Sequence, residues 1–526
     1  MNPNSVSAQT DLAPLIQRLG PDRVIQGAPM TAYATDVYRA GTLPLAVVQP
    51  QSVDDVQAIA VFAHRMELAV FVRGGGASYT DGYLANRPDC LLIDLSGLDK
   101  ILEINAQDGY VLVEAGVTWA QLKSALDPLG LRTPFFGPFS GIAATIGGSL
   151  SQNAISHGSG AFGPSAQSVL SIDVVIASGE MISTGSAARG GPPVQRWYGP
   201  DMCGLFLGDC GALGIKVRAA LPLLAQKPAY DCASFAFDQV ESMARFMQSV
   251  ARERLDDENF AIDAALAQGQ ISRQSSPSAI WANAMAILNA APNRVEGLVK
   301  LARFGLTGTS AMSRAAYMAH YIVDGTNRAE VRAKLKRMRK MAVGLGTEIP
   351  PLAPNFVRAM PFAPLFNTLG PNGERWVPIH GILAPSRVGA FHKTLTALYE
   401  SRASDMKRLG VWTGGMFESV GASGFLYEIA FYWPGVPNAY HQKVLGDDYL
   451  NGLKKYAHND EAASFVEQLK SEIIDLYGRF DATHFQLGKA YPYAQVLTEP
   501  AHALIRAIKR ELDPKGLMNP GALGLK

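Results

Sequence analysis

The sequence has few cysteines, no long apolar run and almost no net charge, and each shortage excludes a class of protein. Its 526 residues include four cysteines, whose positions show neither a metal-binding spacing nor a dense disulfide pattern. These are Cys90, Cys203, Cys210 and Cys232. Reduced, structural thiols in a reducing compartment are therefore expected, with no metal site. No run of about 18 apolar residues occurs, so we expect no membrane-spanning helix.

Charge and composition restrict the partners. The formal net charge is +1, which gives no electrostatic reason to expect a nucleic acid or an anionic membrane. Hydrophobic residues make up 48% of the chain and charged residues 18%, as in a well-packed globular protein. Residues 1–20 lack the basic and apolar segments of a signal peptide. We therefore predict a soluble, cytoplasmic protein of two or three domains.

The pattern of apolar residues predicts a mixed α+β chain in two parts. Residues 1–225 alternate short strands with helices and contain more strands than a doubly wound fold. After about residue 226 longer amphipathic segments predict helices, some preceded by strands, which favours a sheet with helices on one face. The predicted helices span 239–253, 293–304, 327–343, 386–400 and 460–478. Residues 412–433 have aromatic and β-branched residues on both sides of a Gly/Ser turn, a hairpin signal.

The first segment that carries chemistry follows an apolar strand at residues 68–72. Arg73 is followed by three consecutive glycines and then by Ala77, Ser78 and Tyr79. Three glycines cost backbone entropy, so the chain needs a conformation or a close approach that only glycine allows. Bare backbone N–H groups beside a guanidinium describe a diphosphate cradle. The alternative interpretation is a tight surface turn.

Two further glycine-rich segments follow. Residues 134–163 form a long segment that is poor in charge, and loops of this length in a compact domain are usually functional. Its small residues allow backbone to pack against a planar ligand, and its hydroxyl and amide groups supply uncharged hydrogen bonds; the alternative is a glycine-rich connector. In residues 199–223, Gly208, Gly211 and Gly214 recur every three residues just before a strand.

The order of the three segments resembles the flavin-binding domain of the vanillyl-alcohol oxidase and p-cresol methylhydroxylase superfamily. Residues 513–521, DPKGLMNPG, look like the carboxy-terminal signature of that superfamily. The resemblance covers residues 40–225 and the last ~45 residues. It implies an FAD-binding domain built from residues 1–225 and 481–526, and a cap domain at 226–480 that forms the substrate site. It also implies a homodimer.

Motif matching assigns residues to parts of the cofactor. The resemblance implies that the diphosphate is held by Arg73, Gly74, Gly75, Gly76, Ala77 and Ser78. It places next to the isoalloxazine or ribityl chain Thr145, Gly147, Gly148 and Asn153, with His157 as loop structure nearby. It places at the adenosine end Gly211, Gly214 and Ile215, and at the ring from the carboxy-terminal side Asn519. The part of the protein is to aim flavin N5 at a substrate C–H bond and to tune the ring.

Two departures from the family concern how the flavin is held. Many relatives carry a flavin-linking histidine immediately after the first glycines, where this chain has Ala77. Vanillyl-alcohol oxidase links FAD through a cap histidine shortly after Pro-Asn-Gly, where this chain has Arg375. We therefore predict FAD that is bound tightly without a covalent bond.

Candidate substrate residues lie mainly in 483–493. By resemblance, Gly488-Lys489 occupies the place of a Tyr-Arg pair that holds the phenolate in phenol-oxidising relatives. Lys489 is predicted to stabilise a phenolate or carboxylate, or alternatively to contact the flavin. His484 is a candidate base or a structural residue. Tyr491 and Tyr493 follow closely behind Lys489 and are further candidates. Tyr79 is a pocket candidate that alternatively only packs, and Glu418 is one that alternatively lies exposed on its hairpin.

The resemblance implies an FAD-dependent oxidase or dehydrogenase that takes a hydride to flavin N5. The carbon attacked is an alcohol or benzylic carbon of a phenolic or other hydroxylated small molecule, and the electron acceptor, oxygen or a redox partner, is left open. One alternative is a D-2-hydroxyacid dehydrogenase, but the H-x-x-x-G-N-x-H motif of that group is missing from residues 412–433. The sequence is also compatible with an alkyl-glycerone-phosphate-synthase-like enzyme, whose histidine cluster is reduced to His484, and with a non-enzymatic flavin carrier.

Overall fold

The computed structural model describes residues 10–273, 315–362 and 364–525. The helix expected at 293–304 lies outside these ranges. The described α-helices are α1 (Ala13–Leu19), α2 (Val53–Met66), α3 (Trp119–Leu126), α4 (Ile146–Gln152), α5 (Ser159–Phe162), α6 (Met202–Phe206), α7 (Val240–Arg252), α8 (Ala264–Arg273), α9 (Arg328–Ala342), α10 (Leu352–Ala359), α11 (Val388–Leu409), α12 (Ala439–Leu445), α13 (Asp447–Gly452), α14 (Asp460–Arg479) and α15 (Glu499–Leu512). Within the described ranges, no helix has the length and hydropathy needed to cross a membrane.

The amino-terminal half contains eleven short strands in three sheets. They are β1 (Val24–Ile25), β2 (Ala46–Val48), β3 (Ala69–Arg73), β4 (Cys90–Asp94), β5 (Ile101–Asn105), β6 (Tyr110–Glu114), β7 (Leu131–Arg132), β8 (Ser171–Val175), β9 (Met181–Ser183), β10 (Ile215–Pro222) and β11 (Leu224–Ala225). The first sheet has the order β1-β2-β4-β3, with β2 and β3 parallel to the central β4. The second has the order β5-β6-β10-β8-β9 and is antiparallel. β7 pairs with β11.

Local signals set the helix that connects β2 to β3. Ser52 Oγ accepts a hydrogen bond from Asp55 N at 3.1 Å, which satisfies one of the free amides of the first turn. The apolar positions of α2 are buried, and they pack in one core with the strands of the first sheet. β3 therefore pairs with β4 along one edge and packs against α2 on one face. Arg73 and the glycine loop follow at the end of this strand.

A seven-stranded antiparallel sheet forms the second half. Its strands are β12 (Ala229–Phe237), β13 (Glu258–Asp263), β14 (Tyr317–Gly325), β15 (Thr347–Ile349), β16 (Arg375–Leu383), β17 (Trp412–Val420) and β18 (Gly424–Trp433), in the order β15-β12-β14-β13-β17-β18-β16. Helices α7, α9, α11 and α14 cover one face and share one apolar core with it. Phe391 and Tyr477 stack there with ring centroids 4.6 Å apart. This confirms a mixed α+β fold with helices on one face of a sheet.

The opposite face of this sheet meets the amino-terminal half. Leu426 on β18 packs against Ile155, and Phe260 on β13 packs against Phe139. The carboxy-terminal segment returns to the first sheet, where Asn519 N donates to Val70 O at 2.8 Å. The amino-terminal half and the carboxy-terminal segment therefore lie together on this side of the seven-stranded sheet. The domain limits at residues 225 and 480 stay predictions.

Candidate functional site

The glycine loop after β3 approaches the second glycine-rich segment too closely for side chains. A Cβ at Gly75 would lie 1.7 Å from the carbonyl oxygen of Ala143, and one at Gly74 would lie 2.2 Å from Thr145 Oγ1. Gly76 has a φ of +76°, which L-residues rarely adopt. Contact between two loops therefore explains the glycines better than a free surface turn.

The loop presents hydrogen-bond donors that have no acceptor. Across the described ranges, no backbone N–H from Gly74 to Ser78 donates a hydrogen bond. The Arg73 side chain is buried beside them, 3.5 Å from Asp94, and its Nε has no hydrogen-bond partner. Free amides in a glycine loop next to a buried cation complement a diphosphate. The residues present fit the diphosphate of FAD.

The second segment is built around a short helix. Thr145 Oγ1 accepts a hydrogen bond from Gly148 N at 3.2 Å and caps α4. A Cβ at Gly147 would lie 2.7 Å from the Ala115 side chain, so the start of α4 packs directly on the strand end below it. Asn153 ends α4 with a φ of 52°, and its Oδ1 accepts from Ala166 N at 3.3 Å. These four predicted cofactor residues therefore lie in the first turn and at the two caps of one short helix.

The third glycine-rich segment, residues 199–223, has one part that contacts Asn519 and another part that lies inside the second sheet. Asn519 Nδ2 donates to the carbonyl oxygen of Cys210, next to Gly211, which has a φ of +75°. The structure thus brings Gly211 and Asn519 together. Gly214 instead packs against Val174, and Ile215 is fully buried at the start of β10. The assignment of these residues to parts of FAD stays a prediction.

Lys489 is engaged by acceptors from two chain segments. Its ammonium group donates to the carbonyl oxygens of Asp81 at 3.0 Å and Leu84 at 3.1 Å, and to Asn519 Oδ1 at 2.9 Å. These three shorter contacts account for the three protons of the ammonium group, and a fourth acceptor, the carbonyl oxygen of Gly82, lies farther away at 3.5 Å. Burial lowers the pKa of Lys489 to about 8. The geometry favours a lysine that joins the carboxy-terminal segment to the loop after Tyr79.

Tyr79 reaches from the glycine loop to the seven-stranded sheet. Its ring contacts Trp376 edge-on at a centroid distance of 5.6 Å and His380 at 6.4 Å. Burial raises the pKa of Tyr79 well above its ordinary value, and the nearby carboxyl of Glu428 adds to this. The tyrosine is therefore a neutral phenol that connects the predicted diphosphate loop to β16 and β18.

Tyr491 and His484 lie at the end of the same sheet. Tyr491 Oη accepts a hydrogen bond from His380 N at 3.0 Å, and its ring stacks on His484 with centroids 4.2 Å apart. His484 Nδ1 is 2.7 Å from the carbonyl oxygen of His380, so Nδ1 carries the proton. Burial lowers the pKa of His484. The ring is held in one tautomer whose Nε2 is an acceptor.

Four side chains that we call the polar row cross the sheet face that meets the amino-terminal half. They are His320 on β14, Glu418 on β17, Glu428 on β18 and His380 on β16. In the part of the chain that is described, neither carboxyl forms a hydrogen bond, and both nitrogens of His380 and Nε2 of His320 are buried without a partner. Glu418 is 3% exposed, so the hairpin carboxylate points inward and does not face solvent.

Burial decides the protonation of the polar row. It raises the pKa of Glu428 to about 7 and that of Glu418 well above its ordinary value, where neighbouring carboxylates add to the effect. It lowers the pKa of His320 to about 3 and that of His380 well below its ordinary value. The row therefore holds neutral imidazoles and carboxyl groups that protonate easily. Apart from Glu418, sequence reasoning missed it; polar residues in otherwise apolar strands were the available signal.

Two other predicted positions lie away from the row. His157 Nδ1 is 2.7 Å from Glu258 Oε2, and its Nε2 is 2.8 Å from the carbonyl oxygen of Pro361, so the loop histidine joins the two halves. Arg375 on β16 donates to the carbonyl oxygens of Val37 and Tyr38, so it also joins the two halves of the chain. No group of three His, Cys, Asp or Glu side chains within the described ranges is arranged to hold a metal ion.

Family comparisons match the two ends of the chain. Residues 44–185 match the model described as FAD binding domain, and residues 451–523 match the model described as FAD linked oxidases, C-terminal domain. These ranges contain the glycine cradle, α4, Lys489 and Asn519. Neither model includes residues 186–450.

Curated relatives match over part of their length. The chain is 32% identical to the glycolate oxidase subunit GlcD of Escherichia coli strain K12 over 201 residues, which is 38% of each protein. It is 30% identical to the D-2-hydroxyglutarate dehydrogenase of Xanthomonas citri pv. viticola over 241 residues, 45% of this chain and 50% of that protein. The chain therefore spans half or less of these relatives.

Solved structures match the whole fold. p-Cresol methylhydroxylase has a TM-score of 0.73 at 16% identity, covering 98% of this chain and 96% of its own. Alkyldihydroxyacetonephosphate synthase has a TM-score of 0.67 at 15% identity, covering 97% and 85%. The 4-ethylphenol oxidase of Gulosibacter chungangensis has a TM-score of 0.68 at 17% identity, covering 100% and 99%. At these identities the likeness establishes the fold.

Proposed function

Because the chain belongs to the p-cresol methylhydroxylase and vanillyl-alcohol oxidase superfamily of FAD-linked oxidoreductases, we propose that it oxidises a small hydroxylated substrate. The bond broken is a C–H bond at an alcohol or benzylic carbon. The observation that carries this proposal is Tyr79, which extends from the glycine cradle into ring contact with the polar row. A cofactor site and a set of unpaired polar groups are thereby adjacent.

The chain contributes binding and orientation to this reaction. Arg73 and the free amides of residues 74–78 would hold the FAD diphosphate, and the capped turn of α4 with Asn519 would bound the flavin. When bound, FAD supplies a two-electron acceptor for the hydride. With alanine at position 77 and Arg375 in the cap, the chain offers no linking histidine at either place, so FAD is held without a covalent bond.

Glu428 is our candidate for accepting the hydroxyl proton of the substrate. A general base works best when its pKa lies near the operating pH, and burial brings the pKa of Glu428 to about 7. It has no hydrogen-bond partner in the described part of the chain, so a substrate hydroxyl meets an unoccupied acceptor. Tyr79 borders the same space and orients the substrate as a neutral donor.

Lys489 acts as a positioning residue in this proposal. Its three hydrogen bonds hold the loop after Tyr79 against the carboxy-terminal segment. The predicted role in stabilising a phenolate needs a donor that is free to turn toward the substrate, and no ammonium proton remains. Tyr491 and His484 similarly position His380 through its backbone N–H and carbonyl group.

A 2-hydroxyacid dehydrogenase is the second candidate. The names of the curated relatives favour it, since they include a glycolate oxidase subunit and D-2-hydroxyglutarate and D-lactate dehydrogenases. The aligned part covers at most 45% of this chain. Among the described residues, the polar row offers a substrate carboxylate no positively charged partner.

Anaerobic reduction of the purified holoprotein tests the proposed function. We expect a flavin spectrum that a hydroxylated compound bleaches when a panel of phenolic alcohols, polyols and 2-hydroxy acids is added without oxygen. A flavin that dithionite bleaches but every member of the panel leaves unchanged would favour a flavin carrier. Protein without flavin would overturn the proposal.

A further inference from the structure

The charge of the polar row restricts the substrate beyond the proposed reaction. His380 and Glu428 lie directly opposite each other on β16 and β18. Glu418 pairs with Leu426, two residues before Glu428 on the same strand, so it points to the same face. Across neighbouring strands such side chains are about 5–8 Å apart. Glu428 therefore lies on the strand between those of His380 and Glu418, on the same face of the sheet.

No group in the row carries a positive charge, and each can accept a hydrogen bond. An ionised carboxyl group offers only lone pairs, a protonated one adds a single donor, and a neutral imidazole offers one acceptor and one donor. Burial keeps both histidines of the row neutral. At pH 8, above the pKa of about 7 of Glu428, a ligand that fills the acceptors of this carboxylate brings donor hydrogens of its own.

Cations near the row have other partners. Lys489 is committed to two carbonyl groups and Asn519. Arg375 is directed to carbonyl groups of residues 37, 38 and 436. Arg132 and Arg358, at the far end of the face beside Glu258, share the carboxylate of Asp324. In the described part of the chain, the row therefore lacks a counter-ion for an anionic ligand.

Resting on the proposed function, we infer that the substrate binds the polar row through two or more hydroxyl hydrogens and carries no negative charge at that end. A phenolate or a carboxylate at this position faces Glu428 at close range, and like charges in a buried site repel strongly. The hydroxyl groups of Tyr79 and Tyr491, which border the row, are neutral donors and bring no positive charge to offset that repulsion.

Binding to the dithionite-reduced holoenzyme tests this inference without turnover, because reduced flavin cannot accept a hydride. We would titrate the reduced enzyme by calorimetry at pH 8 with (R)-propane-1,2-diol, D-lactamide and D-lactate, which share one hydroxylated carbon and differ in the terminal group. The diol and the amide are expected to bind at least about tenfold more tightly than the acid.

The variant Glu428→Gln tests whether the polar row causes the difference in binding between the diol and the acid. Glu428→Gln removes the charge and keeps the shape, so the ratio between diol and acid should fall toward one. The control is Glu348→Gln, a carboxylate of the same sheet whose partner is the exposed Arg339, which should keep the wild-type ratio. D-Lactate binding as tightly as the diol, or no binding by either neutral compound, would overturn the inference. Because binding is measured on reduced enzyme, failure of the proposed oxidation would leave this ratio measurable.

Discussion

Lys489 donates a hydrogen bond to Asn519 Oδ1 across 2.9 Å, so a predicted substrate residue and a predicted flavin residue hold each other. The side-chain amide of Asn519 in turn donates to the carbonyl oxygens of Gly82 and Cys210. The pair therefore ties three loops at the place where both chain ends meet. This explains how a signature at residues 513–521 supports a site made mainly by residues 73–78.

Replacing Lys489 with methionine should destabilise the fold more than it changes substrate charge preference. The variant Lys489→Met leaves three acceptors without a donor, and we expect the free energy of unfolding to fall by about 3 kcal/mol. Urea unfolding of the holoprotein measures this. The control is Lys515→Met, whose exposed ion pair with Glu67 should contribute under about 1 kcal/mol. Unchanged stability together with selective loss of binding for anionic ligands would identify Lys489 as a substrate residue instead.

Adding one methyl group at Gly75 should separate the first two glycine segments. In Gly75→Ala the Cβ meets the carbonyl of Ala143 at 1.7 Å, so one loop must move. Because overpacking costs about 1–3 kcal/mol, we expect FAD affinity to fall at least about tenfold. Equilibrium dialysis against FAD gives the affinity. Gly452→Ala, where a Cβ meets open space, is the matched control, and equal FAD affinity in the two variants would contradict the cradle.

The helices show where sequence reasoning succeeded and where it stopped. Apolar spacing is a local signal, and it predicted α7, α9 and α14 to within about two residues. The helix expected at 386–400 continues to Leu409. Its second half is mostly polar and exposed, so the apolar spacing fades there, and the helix ends only where Gly410 adopts a φ of 66°.

The candidate site was predicted unevenly for the same reason. Residues 73–78 and 145–153 carry their signal in closely spaced glycines, so the sequence alone indicates them as cofactor residues, and that assignment stays a prediction. His380 and Glu428 are 48 residues apart, and only the register between β16 and β18 places them opposite each other. Nothing local in either strand indicates that register, because both strands belong to a large sheet whose order is set by long-range packing.

The manner of FAD attachment gives a direct test of Ala77. Position 77 has a methyl group that cannot form a flavin bond, and Arg375 is directed to backbone carbonyl groups. Acid precipitation of the purified protein should therefore release the yellow colour into the supernatant. An Ala77→His variant measured in parallel shows whether the position can accept a link. Colour that stays in the wild-type pellet would mean a covalent bond through another residue.

Glu428 predicts how stability depends on pH. Burial raises its pKa from 4.5 to about 7 in the folded protein, so between these values the folded state binds more protons than the unfolded state. Stability must then fall as pH rises through this window, because ∂ΔG/∂pH follows the difference in bound protons. Asp36, whose pKa is also raised to about 7, contributes in the same direction, so the total slope does not isolate one residue.

Comparison with Glu428→Gln isolates it. Glutamine does not titrate, so the variant does not lose the free energy of unfolding that wild type loses between pH 5 and pH 8. The difference in this free energy between variant and wild type should therefore shift by roughly 2 kcal/mol in favour of the variant. Urea unfolding at the two pH values gives this difference, with Glu348→Gln as an exposed control that should show none. If Glu428→Gln and wild type keep the same stability difference at both pH values, the carboxylate titrates normally, and its role as a base near neutral pH loses its support.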